Sequence, residues 1–139
     1  MLDINYEETG ELDLDVVRME SWFQEVITLE SKLFGDICII FCSDDYLLEV
    51  NQQHLNHDYF TDIVTFDYTV DDEVGGDLFI SVDRIRDNAI QFGVSFEEEL
   101  FRVCIHGVLH LCGYKDKSEA DEVVMREKEN QALSLLGFT

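Results

Sequence analysis

The segment Ser95-Phe-Glu-Glu-Glu-Leu-Phe-Arg-Val-Cys-Ile-His-Gly-Val-Leu-His-Leu-Cys-Gly113 constrains this chain more than any other. Ser95 followed by Glu98 has the pattern of a capping box, a hydroxyl at the N-cap and a carboxylate three residues on. Glu97, Glu98 and Glu99 would stand in the first turn, where they complement the helix dipole. Gly113 would stop the helix. What lies between is so apolar that the helix must be central, with the rest of the fold covering it.

That helix carries two of the four histidines, His106 and His110. Four residues apart, both imidazoles project from one face, about one turn from each other. An unpaired imidazole in apolar surroundings is costly, so the pair calls for a partner. Gly113 lets the chain turn back, and Asp116 follows six residues after His110. The frame is H-x-x-x-H-x-x-G-x-x-D. Two nitrogen ligands on a helix and a third ligand from the returning loop make three, which leaves a fourth position open. That is the catalytic zinc pattern, since structural sites are closed by four protein ligands. Asp116 is the favoured third ligand, and Glu119, Asp121 or a residue from elsewhere in the chain are its competitors. Lys115 is a poor ligand because its nitrogen is protonated at neutral pH. In HExxH peptidases a glutamate next to the first histidine is the general base. Here that residue is Gly107, which disfavours a peptidase.

The remaining chain supplies the cover. Its 139 residues suit a single domain, 1–139, able to bury on the order of 70% of its unfolded surface. Residues 12–33 have apolar residues at helical spacing, with Met19, Trp22, Phe23 and Val26 as a core stripe and Gly35 as a stop. Residues 36–43 form a short apolar run suited to a buried strand. Ser43 or Asp44 can cap a helix through Leu55. A strand near 63–69, turn chemistry at 71–76 and a strand at 77–82 predict a hairpin with an acidic tip. Residues 83–92 suit a helix stopped by Gly93, and Ser118 opens a last helix to about Leu136. The expected order is α-β-α-β-β-α-α-α. It implies an α+β fold, with one small mixed sheet packed with helices. Cys38, Cys42, Cys104 and Cys112 lie in apolar runs without a CxxC pair and suit reduced core residues.

Charge narrows the function classes. There are 9 basic and 31 acidic residues, a net charge of −22. That excludes a broad basic surface for coating DNA or RNA. The charge is polarised. Residues 1–83 hold 21 acids and 2 bases, whereas residues 84–139 hold 10 acids and 7 bases. The near-neutral part contains the whole histidine frame. No apolar run approaches the roughly 20 residues of a membrane span, and the N-terminus lacks a signal-peptide layout. The expectation is a cytoplasmic protein with no membrane partner.

Three motifs then converge. H106-G-V-L-H110-L-C-G113-Y114 resembles the H-G-x-L-H-L-x-G-Y-D-H signature of the YbeY family. T61-D62-I63-V64-T65-F66 resembles its T-D-V-L-S-F strand, and G76-D77-L78-F79-I80-S81 its L-G-D-I-x-I-S strand. The resemblance implies a zincin-like α+β fold with HxxxH on the central helix. It implies one Zn²⁺ ion held by His106, His110 and Asp116, with the two histidines catalytic. The implied activity is single-strand-specific endoribonuclease action in ribosomal RNA maturation (16S rRNA 3′ end processing) and in ribosome quality control, in the bacterial cytoplasm. RNA rather than DNA is the implied substrate, with the small ribosomal subunit and its basic proteins as partners. An alternative is a zinc-stabilised ribosome-assembly protein with weak or no catalysis, its acidic surface docking basic proteins.

Two departures from the family pattern stand out. The family's D-H after the tyrosine is Lys115-Asp116, so an aspartate replaces the third histidine. Zinc accepts a carboxylate oxygen at about 2.0–2.2 Å, so the frame stays workable. The family arginine before T-D is Leu55 here. His54, His57, Lys115 and Lys117 are the nearby candidates for holding phosphate in its place. Asp62 and Asp77 suit backbone capping, or orientation of a histidine as the second possibility. Tyr114 suits packing over the helix end.

Overall fold

The computed structural model describes residues 1–56 and 59–138. The elements are β1 (Leu2–Glu7), α1 (Val16–Leu29), β2 (Leu33–Cys42), α2 (Asp44–Leu55), β3 (Ile63–Asp67), β4 (Glu73–Ser81), α3 (Val82–Phe92), α4 (Phe96–Leu111) and α5 (Glu119–Ser134). The four strands form one sheet in the order β1-β2-β4-β3. β1 and β4 both run parallel to β2, and β3 is antiparallel to β4. The architecture is the expected α+β, a mixed sheet packed with helices.

Strand alternation decides what each face buries. Leu2, Ile37, Ile39, Phe41, Leu78 and Ile80 point to one face and join the large core with Met19, Trp22, Phe23, Val26 and Ile27 of α1. Leu100, Cys104, Ile105, Val108 and Leu111 of α4 belong to the same core. The opposite face holds a smaller cluster, in which Cys42 and Val64 pack against Leu47 of α2. Phe66 and Phe79 border this cluster.

β1 is an element that the periodicity above does not include. Its apolar residues Leu2, Ile4 and Tyr6 alternate with Asp3, Asn5 and Glu7, and the acidic residues mask a strand that only pairing with β2 defines. α1 is shorter than the 12–33 pattern. Asp15 caps it by accepting from the Arg18 amide at 3.0 Å, and Leu12 and Leu14 pack on the core from outside the helix. Ser31, at φ 61°, turns the chain, so Leu33 and Gly35 open β2 instead of ending the helix. β4 likewise begins at Glu73. The turn is confined to Val70–Glu73, with Asp71 at φ 54°.

The central helix is as expected. The Ser95 hydroxyl accepts from the Glu98 amide at 3.0 Å. The reciprocal capping box, with hydroxyl and carboxylate both engaged, forms at Ser118 and Asp121 of α5. Gly107 is buried in mid-helix for a packing reason. A Cβ there would stand 2.8 Å from Ile63 Cδ1 and 2.9 Å from Leu78 Cδ2, so its absence lets α4 lie close on the sheet. All four cysteines are free. Burial pushes the Cys42 and Cys104 thiols up to about 12 and Cys112 up to about 11, which makes them poor nucleophiles.

Candidate metal centre

The end of α4 is shaped by a glycine turn. Gly113 has φ 108°, a conformation costly for residues with a Cβ. Its amide donates to the His110 carbonyl at 3.0 Å, and the Tyr114 amide donates to the Leu109 carbonyl at 3.1 Å. These two bonds are the Schellman pattern. The turn brings the Tyr114 carbonyl to His110 Nδ1 at 2.8 Å and returns Asp116 over the helix end. The Tyr114 ring packs on the core, its hydroxyl bonds Glu30 at the end of α1, and Lys128 Nζ lies 5.6 Å from the ring centre. Tyr114 therefore packs as expected and also fixes the loop.

His106 is anchored from α5. Its Nδ1 lies 2.7 Å from Oε2 of Glu129. A carboxylate and a carbonyl oxygen are acceptors, so each histidine carries its hydrogen on Nδ1 and turns an Nε2 lone pair inward. The two Nε2 atoms are 3.0 Å apart. Asp116 Oδ2 is 3.3 Å from Nε2 of His106 and 3.4 Å from Nε2 of His110. Three acceptor atoms thus converge, and without positive charge between them they repel. A proton on His106 supplies one such charge. Burial lowers the His106 pKa, but the Glu129 hydrogen bond and the Glu129, Asp116 and Asp62 carboxylates outweigh it, and the net direction is up. A metal ion supplies charge to all three atoms at once. Tetrahedral zinc ligands at about 2.0–2.1 Å stand roughly 3.3–3.4 Å apart, so the observed triangle is only slightly contracted from one around an ion. The donor set therefore fits a divalent metal.

Among the described residues, His106, His110 and Asp116 are the one group of three potential ligands that come this close together. Asp121 is engaged in the α5 capping box, and Glu119 lines the neighbouring cleft outside the cluster. The cleft is about 900 Å³ and lies between α4 and α5, with Asp62, Asn88 and Phe92 along its wall. The Asp62 carboxylate is held above its usual range by burial, against the opposing pull of His106 and of the Asp62 and Ile63 amides. Its charge is felt by His106, but the carboxylate hydrogen-bonded to the His106 ring is that of Glu129. Asp77 lies on the opposite face of the sheet, in a groove with Phe66 and Phe79.

The phosphate-holding candidates separate. Lys115 and Lys117 are exposed on either side of Asp116. His54 lies in the opposite-face groove, with its ring edge-on to Phe66 at 5.6 Å. Leu55 is at the surface at the end of α2. His57 lies outside the described residues.

Sequence reasoning missed three site residues. Glu129 is 5% exposed and lies on the same stripe of α5 as Met125, Ala132 and Leu133. Arg102 donates from Nη1 to Glu129 Oε1 and from Nη2 to Asn130 Oδ1, both at 2.9 Å. Glu99 is 4% exposed and faces the cleft. Burial, and then Asp62, push its carboxyl up to about 7, against Arg102 and Arg126. For Glu99 and Arg102 the signal was a polar stripe on an apolar helix: Glu99, Arg102, His106 and His110 recur at helical spacing along α4.

The family model described as Endoribonuclease YbeY matches residues 4–137. The chain belongs to the YbeY family. A protein named Endoribonuclease YbeY from Flavobacterium psychrophilum is 54% identical over 138 residues, covering 97% of this chain and 96% of its own length. A protein of the same name from Bacteroides thetaiotaomicron is 48% identical over 134 residues, covering 95% of this chain and 98% of its own. The solution structure of TM1509 from Thermotoga maritima is similar, with TM-score 0.68 and 28% identity over 95% of this chain and 86% of that one. Family membership thus agrees with the three motifs. Of these, the histidine frame and Asp62 reach the cleft, and the Asp77 strand supports it from beneath.

Proposed function

We propose that residues 1–139 act as one zinc-dependent endoribonuclease unit on single-stranded RNA, in maturation of ribosomal RNA and in ribosome quality control. The observation that carries this reading is the convergence of His106 Nε2, His110 Nε2 and Asp116 Oδ2 within 3.4 Å, in a protein of the YbeY family. The relatives named Endoribonuclease YbeY support the nuclease activity. Processing of the 16S rRNA 3′ end, the small subunit and its basic proteins as partners, and the bacterial cytoplasm follow from the family resemblance.

His106, His110 and Asp116 would hold the ion, and His106 and His110 are the catalytic pair. A zinc ion held there would supply Lewis acidity, for polarising a phosphate oxygen or activating a water. The chain's own groups prepare the site. Glu129 and the Tyr114 carbonyl hold hydrogen at the two Nδ1 atoms, which keeps both Nε2 atoms free as ligands. Asp116 brings a negative charge that lowers the net positive charge of the centre. Lys115 and Lys117 flank it and are the groups placed to attract phosphate. Metal analysis and cleavage of a single-stranded model RNA test the reading. His106→Ala and His110→Ala are expected to abolish both zinc content and cleavage. Cleavage that survives in these variants overturns it.

A second reading draws support from the exposed Leu55 and the acidic cleft lining. It is a zinc-stabilised ribosome-assembly protein with weak or no catalysis. Zinc-loaded protein that cleaves RNA, with inactive histidine variants, decides against it.

A further inference from the structure

Glu129 is buried on the apolar face of α5, and both of its oxygens are engaged. Oε2 accepts from His106 Nδ1 at 2.7 Å. Oε1 accepts from Arg102 Nη1 at 2.9 Å, and Arg126 Nη1 lies 3.7 Å from the same oxygen. Arg102 is itself held by Asn130, the next residue of α5. A buried carboxylate calls for a cationic partner, and the Arg102 guanidinium stands at hydrogen-bond distance to serve as one.

We infer that Arg102 and Glu129 form a two-residue relay that positions His106 and sets the metal affinity of the centre. Resting on the metal reading above, the inference adds residues that touch neither ion nor substrate. Glu129 acts by fixing the Nδ1–H tautomer and the ring direction and by raising the basicity of Nε2. Arg102 acts through Glu129. His110 has a backbone carbonyl as its partner, so the two histidines are anchored differently. One depends on the α4 C-terminal turn, the other on the docking of α5.

The test is zinc affinity measured by competition with a chromophoric chelator, on the full chain. Loss of an outer hydrogen-bond partner typically costs about 10–100-fold in affinity. Glu129→Ala is expected at the upper end and Glu129→Gln, which keeps an acceptor but not the charge, at the lower end. Arg102→Met is expected to weaken binding about 10-fold, and Arg102→Lys to recover part of that. Nitrogen-15 NMR of the metal-free protein provides a readout that packing alone would not move. At alkaline pH, where the ring is neutral, His106 should show the Nδ1–H tautomer in the wild type and in Arg102→Lys, and a mixture of tautomers in Glu129→Ala. Wild-type zinc binding with affinity unchanged in a folded Glu129→Ala overturns the relay alone. A wild type that binds no metal overturns the relay and the metal reading together.

Discussion

Asp116 is the carboxylate that the returning loop adds to the two histidines. If it is the third ligand, Asp116→Ala lowers zinc affinity by more than the roughly 10–100-fold of an outer-shell change. Zinc content equal to wild type under chelator competition refutes that role. Glu99 supplies a second test, through pH. Its folded pKa of about 7 lies above the ordinary value, so between those two values the folded state binds more protons than the unfolded state. Its contribution is therefore favourable below the ordinary carboxylate range and is lost as pH rises through about 7. Glu99→Gln is expected to stabilise the protein at pH 8 relative to wild type, by on the order of 1–3 kcal/mol, and to leave it little changed at pH 5. Urea midpoints at the two pH values check this. The histidine frame was legible because its spacing is local to one helix and one turn. Glu129 was not, because an acidic residue on an amphipathic helix has the same sequence signature whether it faces water or a buried imidazole.

At the scale of elements, the capping signals were the readable part. Ser43, Ser81, Ser95 and Ser118 each accept from an amide three residues on, and Gly93 and Gly113 end their helices with positive φ. These are contacts within a few residues, so local chemistry decides them. Strand ends were harder to read. Gly75 and Gly76 have turn chemistry yet lie inside β4, where a Cβ on Gly75 would crowd the Asp36 carbonyl of β2 and one on Gly76 the Phe66 carbonyl of β3, with α4 passing above Gly76. A Cβ on Gly76 would stand 2.8 Å from Leu111 Cδ2. The same close approach governs Gly107. Gly107→Ala gains about 1 kcal/mol of helix propensity but forces Ile63 and Leu78 to move, an overpacking cost of roughly 1–3 kcal/mol. The expected net effect is destabilisation by up to about 2 kcal/mol, read as a lower urea midpoint with an unchanged slope.

Over the whole molecule the polarised charge is the main determinant. A net charge of −22 on 139 residues destabilises the compact state through self-repulsion. Raising salt from 0.01 to 0.15 M shortens the screening length from about 30 to about 8 Å. The melting temperature of the metal-free protein is therefore expected to rise over that range, and a fall refutes the argument. Bare RNA should bind weakly at physiological salt, because the cleft wall is mostly acidic and Arg102 is already committed to Glu129. Nanomolar binding to generic RNA contradicts this. By itself, the sequence determined the α+β class, the central capped helix, the paired histidines and the returning Asp116. Each depends on periodicity or on contacts within about ten residues. Only the tertiary structure decided that an acidic N-terminal segment is a strand, that Gly107 is a packing glycine, and that Glu129 and Arg102 stand behind His106. Those facts depend on surfaces more than twenty residues apart in the chain meeting in the core, and local spacing carries no record of such meetings.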